Sequence, residues 1–266
     1  IPYKPKQASA SWLSQVFLLS RRNLVNIFRT PEALIPPIAI SVFFLVIYQS
    51  TLGTAAGFIP GLSGKGYLGF ILPLSIVSSS LAGAGIAAQN LVKDLENGYF
   101  DKLLLTPISR TAVVLGPILA GSLVLGLQAL IVVGVGLLLG LEPATGLPGL
   151  LVVVGLSVLL GTGFAGFTVS AALGTGSAAA TQSAGFLFFP LTFLTASFVP
   201  LELLGGWLKT AAMFNPITYV LGGMRSLMLT GWQVNELWPA VAACLVLAVA
   251  MYGLAAYALR VRTRRK

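Results

Sequence analysis

Apolar and polar positions are unevenly spread along the 266-residue chain: long uncharged runs are separated by short segments that collect nearly all of the charge. Six runs, at about 33–52, 67–90, 112–140, 148–173, 182–200 and 237–258, contain no Asp, Glu, Lys or Arg. A helix rises about 1.5 Å per residue and the hydrocarbon core is roughly 30 Å thick, so about 20 apolar residues are needed to cross it. The pattern predicts an all-α membrane protein with six transmembrane helices in a single transmembrane domain over 1–266.

The segments between the runs have patterns of their own. Over 11–29, Leu13, Val16, Phe17, Leu24, Ile27 and Phe28 fall on one helical stripe and Gln15, Arg22, Asn26 and Arg29 on the other. Such a helix lies flat at a membrane surface. "TPEA" (30–33) then reads as an N-cap, Thr30, followed by Pro31 at the first position of the first span. In the second span "SSSLAGAGIAA" (78–88) is nearly all small residues, and Gly136 and Gly140 form a GxxxG pair; both suit close helix approach, within one subunit or between two. Residues 201–236 hold two apolar stretches too short and interrupted to cross, the second begun by Asn215 and Pro216, with Ile217, Val220, Leu221, Met224 and Met228 on one side. They predict a hairpin over 201–228 that dips into the membrane without crossing it.

Composition agrees: 56% hydrophobic residues, 9% charged and a mean hydropathy of +0.93. The net charge of +9 needs its placement checked before it suggests nucleic acid. With six spans and an inside N-terminus, 13 of the 16 Lys and Arg fall on one side, leaving Lys65, Lys209 and Arg225 on the other. That asymmetry is the positive-inside pattern, so the expected location is a bacterial cytoplasmic (inner) membrane, multi-pass, with both termini cytoplasmic. No nucleic-acid partner is implied, and the "RTRRK" tail is expected at anionic headgroups.

Several chemistries lack their residues. There is no histidine, and the one cysteine, Cys244, lies in mid-span, so His-based catalysis and a His/Cys metal site are excluded. No GxxxxGK[ST] string occurs, the nearest being "GLSGKG" (61–66). The chain is therefore expected to catalyse nothing alone. Proton-coupled transport lacks an intramembrane ionisable residue; Ser75, Ser78, Ser79 and Ser80 leave a sodium-coupled secondary transporter open, and a non-transporting scaffold is the other alternative.

Six of the twelve charged residues between Ala33 and Glu236 fall in or beside "DLENGYFDKLLLTPISR" (94–110). Gly98 interrupts the run, Pro107 ends it, and Phe100, Leu103 and Leu104 make an apolar ridge among Asp94, Glu96, Asp101 and Lys102. A solvated loop needs no such ridge; it must pack on the membrane surface or on another protein.

At these residues the chain resembles the membrane subunits of type-2 ABC exporters, in the manner of the daunorubicin/doxorubicin-resistance branch. The resemblance is carried by "ENGYFDKLLLTPISRTAVVLGPILA" (96–120), then by "NPITYVLGGMRSLMLTG" (215–231) and more weakly by "RTP" (29–31). Where relatives often have a basic residue after "LG", this chain has Pro117. The resemblance implies a permease working as a homodimer with two copies of a cytoplasmic ATPase, a separate chain that binds the ATP and Mg; this chain would hold no cofactor. It makes 11–29 an elbow helix and 94–107 a coupling helix, with Glu96, Gly98, Phe100, Asp101, Leu103, Leu104 and Pro107 as the ATPase-coupling residues. The implied cargo is an amphipathic drug, lipid or glycolipid, entering between spans one, two and five of the two copies. Phe70, Ser75, Ser78, Phe188, Phe189 and Phe193 are the candidate lining, although each also suits ordinary helix packing.

Overall fold

A computed structural model describes residues 11–53, 66–195, 197 and 201–264. Among these residues all regular structure is helical: α1 (Trp12–Phe28), α2 (Pro31–Leu52), α3 (Tyr67–Gly83), α4 (Gly85–Glu96), α5 (Tyr99–Leu104), α6 (Arg110–Leu138), α7 (Gly146–Thr175), α8 (Ala178–Phe186), α9 (Phe189–Phe193), a 3-10 turn (Leu201–Leu203), α10 (Gly206–Phe214), α11 (Pro216–Leu229) and α12 (Val234–Arg264). Among the described residues five stretches are long and apolar enough to cross a membrane: Pro31–Thr51, Tyr67–Glu96, Arg110–Leu138, Gly146–Thr175 and Val234–Arg264. The "GLSGKG" string lies outside the described residues.

The 182–200 run does not form one long helix. α8 stops at Phe186, a turn follows at Leu187 and Phe188, and α9 covers only Phe189–Phe193. Pro190 has no N–H to return to Phe186 and its ring crowds that carbonyl, which forces the break. Hydropathy could not register it, because the residues on both sides are apolar.

The second span is one crossing in two pieces. α3 ends at Gly83 and α4 starts at Gly85. At the junction the Thr168 hydroxyl of α7 donates to Ala84 O at 2.8 Å. A Cβ on Gly83 would meet Gln128 Oε1 and Leu125 Cδ2, each at 2.7 Å, so α6 sits directly against the junction. Of the GxxxG pair, Gly136 packs on Leu72 of the same chain, and Gly140, at φ +92°, lies past the end of α6 in a turn.

Thr30 also departs from expectation. Its hydroxyl donates back to Asn26 O (3.3 Å) and Ile27 O (3.0 Å), closing α1, and makes no cap bond to α2. Ser11 caps the other end of α1 by accepting from Ser14 N at 3.3 Å. α1 has two apolar sides: Val16, Leu19 and Ile27 are buried, whereas Leu13, Phe17 and Phe28 are exposed. Gly116 of α6 is where Leu19 docks, since a Cβ there would lie 2.6 Å from Leu19 Cβ.

Two large apolar clusters make the core. One joins α3, α7, α11 and α12 through Ile71, Leu72, Phe164, Leu221, Met224 and Cys244. The other joins α1, α4, α5, α6, α7 and α12 at the end of the molecule that carries the charged 94–110 stretch. That end is called the basic end below. α3 and α4 form the most enclosed crossing, with 88% of the apolar window buried, against 17% each for α2 and α12.

Candidate functional site

The charged stretch is built as a bend between two helices. α4 ends at Glu96, Gly98 adopts φ +68°, and α5 follows for six residues to Leu104. A left-handed residue there suits glycine, which has no Cβ to clash. Open space surrounds Gly98, so its backbone conformation and not crowding demands the glycine.

Arg22 of α1 grips this bend. Its two terminal nitrogens donate to the two Asp94 carboxylate oxygens at 2.7 and 2.6 Å, a bidentate fork. Its guanidinium also lies 4.0 Å from the centre of the Tyr99 ring. The hydrogen bonds that Arg22 donates to Asp94, partly offset by burial, hold the Arg22 pKa above its ordinary value. Two further bonds fix α1 beside the start of α6: Trp12 Nε1 donates to Thr111 Oγ1 at 2.9 Å, and Ser109 N to Gln15 Oε1 at 2.8 Å. Sequence spacing gave no hint of the Arg22 pairing, which links residues 72 positions apart.

The apolar ridge does not face outward. Phe100 is 2% exposed and packs in the basic-end cluster; Leu103 and Leu104 are half-buried against the same cluster. The surface left open carries Glu96, Tyr99, Asp101, Lys102, Leu105, Thr106 and Pro107, with Leu105 88% exposed. An i, i+3, i+4 ridge looks the same in sequence whether it meets its own chain or a partner, and here it packs into the basic-end cluster of its own chain.

The candidate pathway residues do not converge. Phe70, Ser75 and Phe188 are buried within the chain, Ser78 is half-buried, Phe193 is 51% exposed, and the Phe189 side chain lies outside the described residues. Ser75 donates to its own helix at Ile71 O. Phe188 packs between Phe164 and Phe167, with ring centres at 4.9 and 4.7 Å.

Phe70 belongs to a different cluster, centred on Arg225. This cation of α11 is 9% exposed. Its Nε donates to Phe70 O at 3.0 Å and its Nη2 to Ser197 O at 2.6 Å, while the guanidinium stacks 3.5 Å from the Phe70 ring centre. Asn215 performs a similar tie: Oδ1 accepts from Ile217 N at 3.0 Å as the cap of α11, and Nδ2 donates to Leu191 O and Leu194 O at 2.6 and 3.1 Å. The α10–α11 hairpin is thereby fastened to α3 and to the chain after α9. A second polar pair, missed in the sequence, is Gln89 of α4 donating to Gln182 of α8 at 2.7 Å on the exposed surface. Amides at or beside apolar runs were the signal available for finding it.

Two shallow clefts are lined by none of the candidate pathway residues: one of about 590 Å³ between α7 and α12 at the basic end, the other of about 470 Å³ between α11 and α12. Among the described residues no group of three or more Cys, Asp or Glu is placed to hold a metal ion.

Comparison with known proteins adds a family to this geometry. Residues 14–229 match the model of the ABC-2 type transporter family. Over 226 residues, 85% of this chain and 81% of the relative, the chain is 24% identical to a probable doxorubicin resistance ABC transporter permease, DrrC, of Mycobacterium tuberculosis. It is 28% identical over 201 residues to the daunorubicin resistance ABC transporter permease DrrB1 of Streptomyces coeruleorubidus, covering 74% of this chain and 69% of that one. A putative transport permease, ycf38, of Cyanophora paradoxa is 26% identical over 221 residues, 81% of this chain and 74% of its own length.

Proposed function

The chain belongs to the ABC-2 type transporter family, and on that premise we propose that it is the membrane-spanning permease subunit of an ATP-driven exporter. The cargo is an amphipathic drug, lipid or glycolipid moved out across the cytoplasmic membrane. A separate cytoplasmic ATPase, two copies per permease homodimer, binds the ATP and Mg and supplies the energy; the family resemblance and the lack of any nucleotide-binding string support this division of labour. α1 is the elbow helix, α4–α5 with the residues up to Pro107 the coupling segment, and α10–α11 the re-entrant hairpin on the outer side.

The observation that carries this reading is the Arg22–Asp94–Tyr99 interlock. It makes the bend at Gly98 and the whole of α1 one mechanical unit, with Phe100, Leu103 and Leu104 as its internal packing and Glu96, Asp101, Lys102, Leu105 and Pro107 as its open surface. A push on that surface is delivered to α1, α4 and α6 together, because the apolar contacts behind it are close-packed and do not yield locally.

The test is a pair of surface variants, Leu105→Glu and Asp101→Lys, expressed together with the ABC ATPase that supports export by the wild type. Both residues are exposed, so the variants should reach the membrane in normal amount. Substrate-stimulated ATP hydrolysis and export should fall by about tenfold or more, the loss that about 1.4 kcal/mol of docking energy represents. Normal export by both variants would refute docking at this surface. Phe100→Ala is not a substitute, since a buried aromatic truncation costs about 3–5 kcal/mol of stability and would confuse coupling with folding.

A further inference from the structure

The cleft between α7 and α12 at the basic end lies between two helical stripes. Phe167, Ala171 and Gly174 come from α7, and Leu254, Tyr257, Ala258 and Val261 from α12, each at helical i, i+3, i+4 spacing. Arg262 closes one end of the cleft. At about 1.5 Å per residue, Leu254 lies about 12 Å along the helix from Arg262, so the space has a cationic mouth and an apolar body. One wall is rigid, because the Phe167 ring is held edge-on against Phe188 at 4.7 Å. The other is open to the surroundings, with Tyr257 65% and Leu254 41% exposed.

The mouth is built to hold a cation in place. Arg262 Nη1 donates to Leu173 O at 2.9 Å, at the C-terminus of α7. Its guanidinium packs over Gly176, where a Cβ would sit 3.4 Å from both terminal nitrogens; that glycine also has φ +65°. Arg260 and Arg264 are exposed but, two residues to either side of Arg262, they point to the other side of α12 and do not line the cleft; Arg110 Nη1 reaches Thr263 Oγ1 at 3.5 Å. No acidic residue occurs between Glu142 and Glu202 or after Glu236, so α7, α8 and the final two-thirds of α12 offer these arginines no carboxylate. Asp94, on α4, is already committed to Arg22.

We propose that this cleft binds an anionic phospholipid, the phosphate at Arg262 and the start of one acyl chain between Phe167 and Tyr257. Basic pockets between membrane helices on the cytoplasmic side select such headgroups. Lipid is the occupant that fits both halves: a soluble anion would leave the apolar body unused, and a zwitterionic lipid would leave the Arg262 charge without a net counter-charge. The leaflet follows from the orientation proposed above; the binding itself does not depend on it, nor on the ATPase.

Native mass spectrometry of the purified full-length chain, released from detergent with added phosphatidylglycerol or phosphatidylcholine, measures the preference. The wild type should retain phosphatidylglycerol about fivefold better, roughly the gain that one basic residue gives near an anionic surface. Arg262→Gln should abolish the preference. Because Arg262 also bonds the end of α7, a second variant keeps the test clean: Gly174→Trp, at a position where an added Cβ meets nothing within 4 Å, fills the cleft and leaves Arg262 in place. It should reduce phosphatidylglycerol retention to the phosphatidylcholine level. Equal retention of the two lipids by the wild type, or undiminished preference in Gly174→Trp, overturns the proposal. Competition by glycerol phosphate alone would also overturn it, since the apolar body would then contribute nothing. None of these failures touches the coupling experiment, which reads ATP hydrolysis and export.

Discussion

Arg225 is the residue at which sequence and structure differ most. Along the sequence it is one of three cations left on the outer side, and its meaning there is topological. In the fold it is 9% exposed and joins Phe70, Ser197 and the Phe70 ring. A buried guanidinium is costly unless its donors are matched, and two carbonyls and an aromatic face match the planar fork in a way an ammonium cannot. Arg225→Met leaves both carbonyls without this donor, at about 1–3 kcal/mol for each buried acceptor left unpaired. The midpoint of thermal unfolding in detergent should fall by about 5 °C, with Arg225→Lys between the two. A variant that melts with the wild type would show that the hairpin is held by α11 packing alone. Nothing in the sequence marked Arg225 in this way, because the partners are backbone carbonyls, which have no sequence signature; Asn215, whose cap lies two residues from its acceptor's donor, was legible for the opposite reason.

At the scale of elements, what hydropathy records is the length of an apolar run, and the long uninterrupted crossings α2, α6, α7 and α12 were readable on that basis. What it does not record is where a helix bends or stops inside an apolar run. The α3–α4 junction and the α8–α9 break are both of this kind; the second is set by Pro190, and the first lies between two glycines, 83 and 85. The junction is tied to its neighbours. Thr168 Oγ1 supplies Ala84 O with a donor at 2.8 Å across the helix interface. Thr168→Val keeps the shape and removes the donor, so it should lower stability by about 1–3 kcal/mol, whereas Thr168→Ser should keep most of it. Unfolding midpoints of the two variants decide the matter: equal losses in both would mean that the methyl packing, and not the hydrogen bond, holds the junction.

On the scale of the whole molecule, the exposed faces differ in chemistry. α12 presents Leu245, Val246 and Val249, an aliphatic surface for which lipid is sufficient. α4 and α8 present the Gln89–Gln182 hydrogen bond, with Ser183 exposed beside it. Amides facing hydrocarbon are costly, so polar side chains in membrane helices face other helices or water-filled space. In the homodimer proposed above, that difference puts the second copy on the α8 face and not the α12 face, with the Gln pair at the mouth of the space between the copies. The native thiol does not interfere, since Cys244 is buried against Leu156 O. Single cysteines at Ser183 and at Val246, oxidised in native membranes, therefore give a direct comparison. Ser183→Cys should yield a disulfide-linked species of twice the 27.7 kDa chain mass, sensitive to reductant, and Val246→Cys should remain monomeric. The opposite pattern would place the partner on α12, and would leave the exposed amides of α4 and α8 to be covered by something other than a copy of this chain.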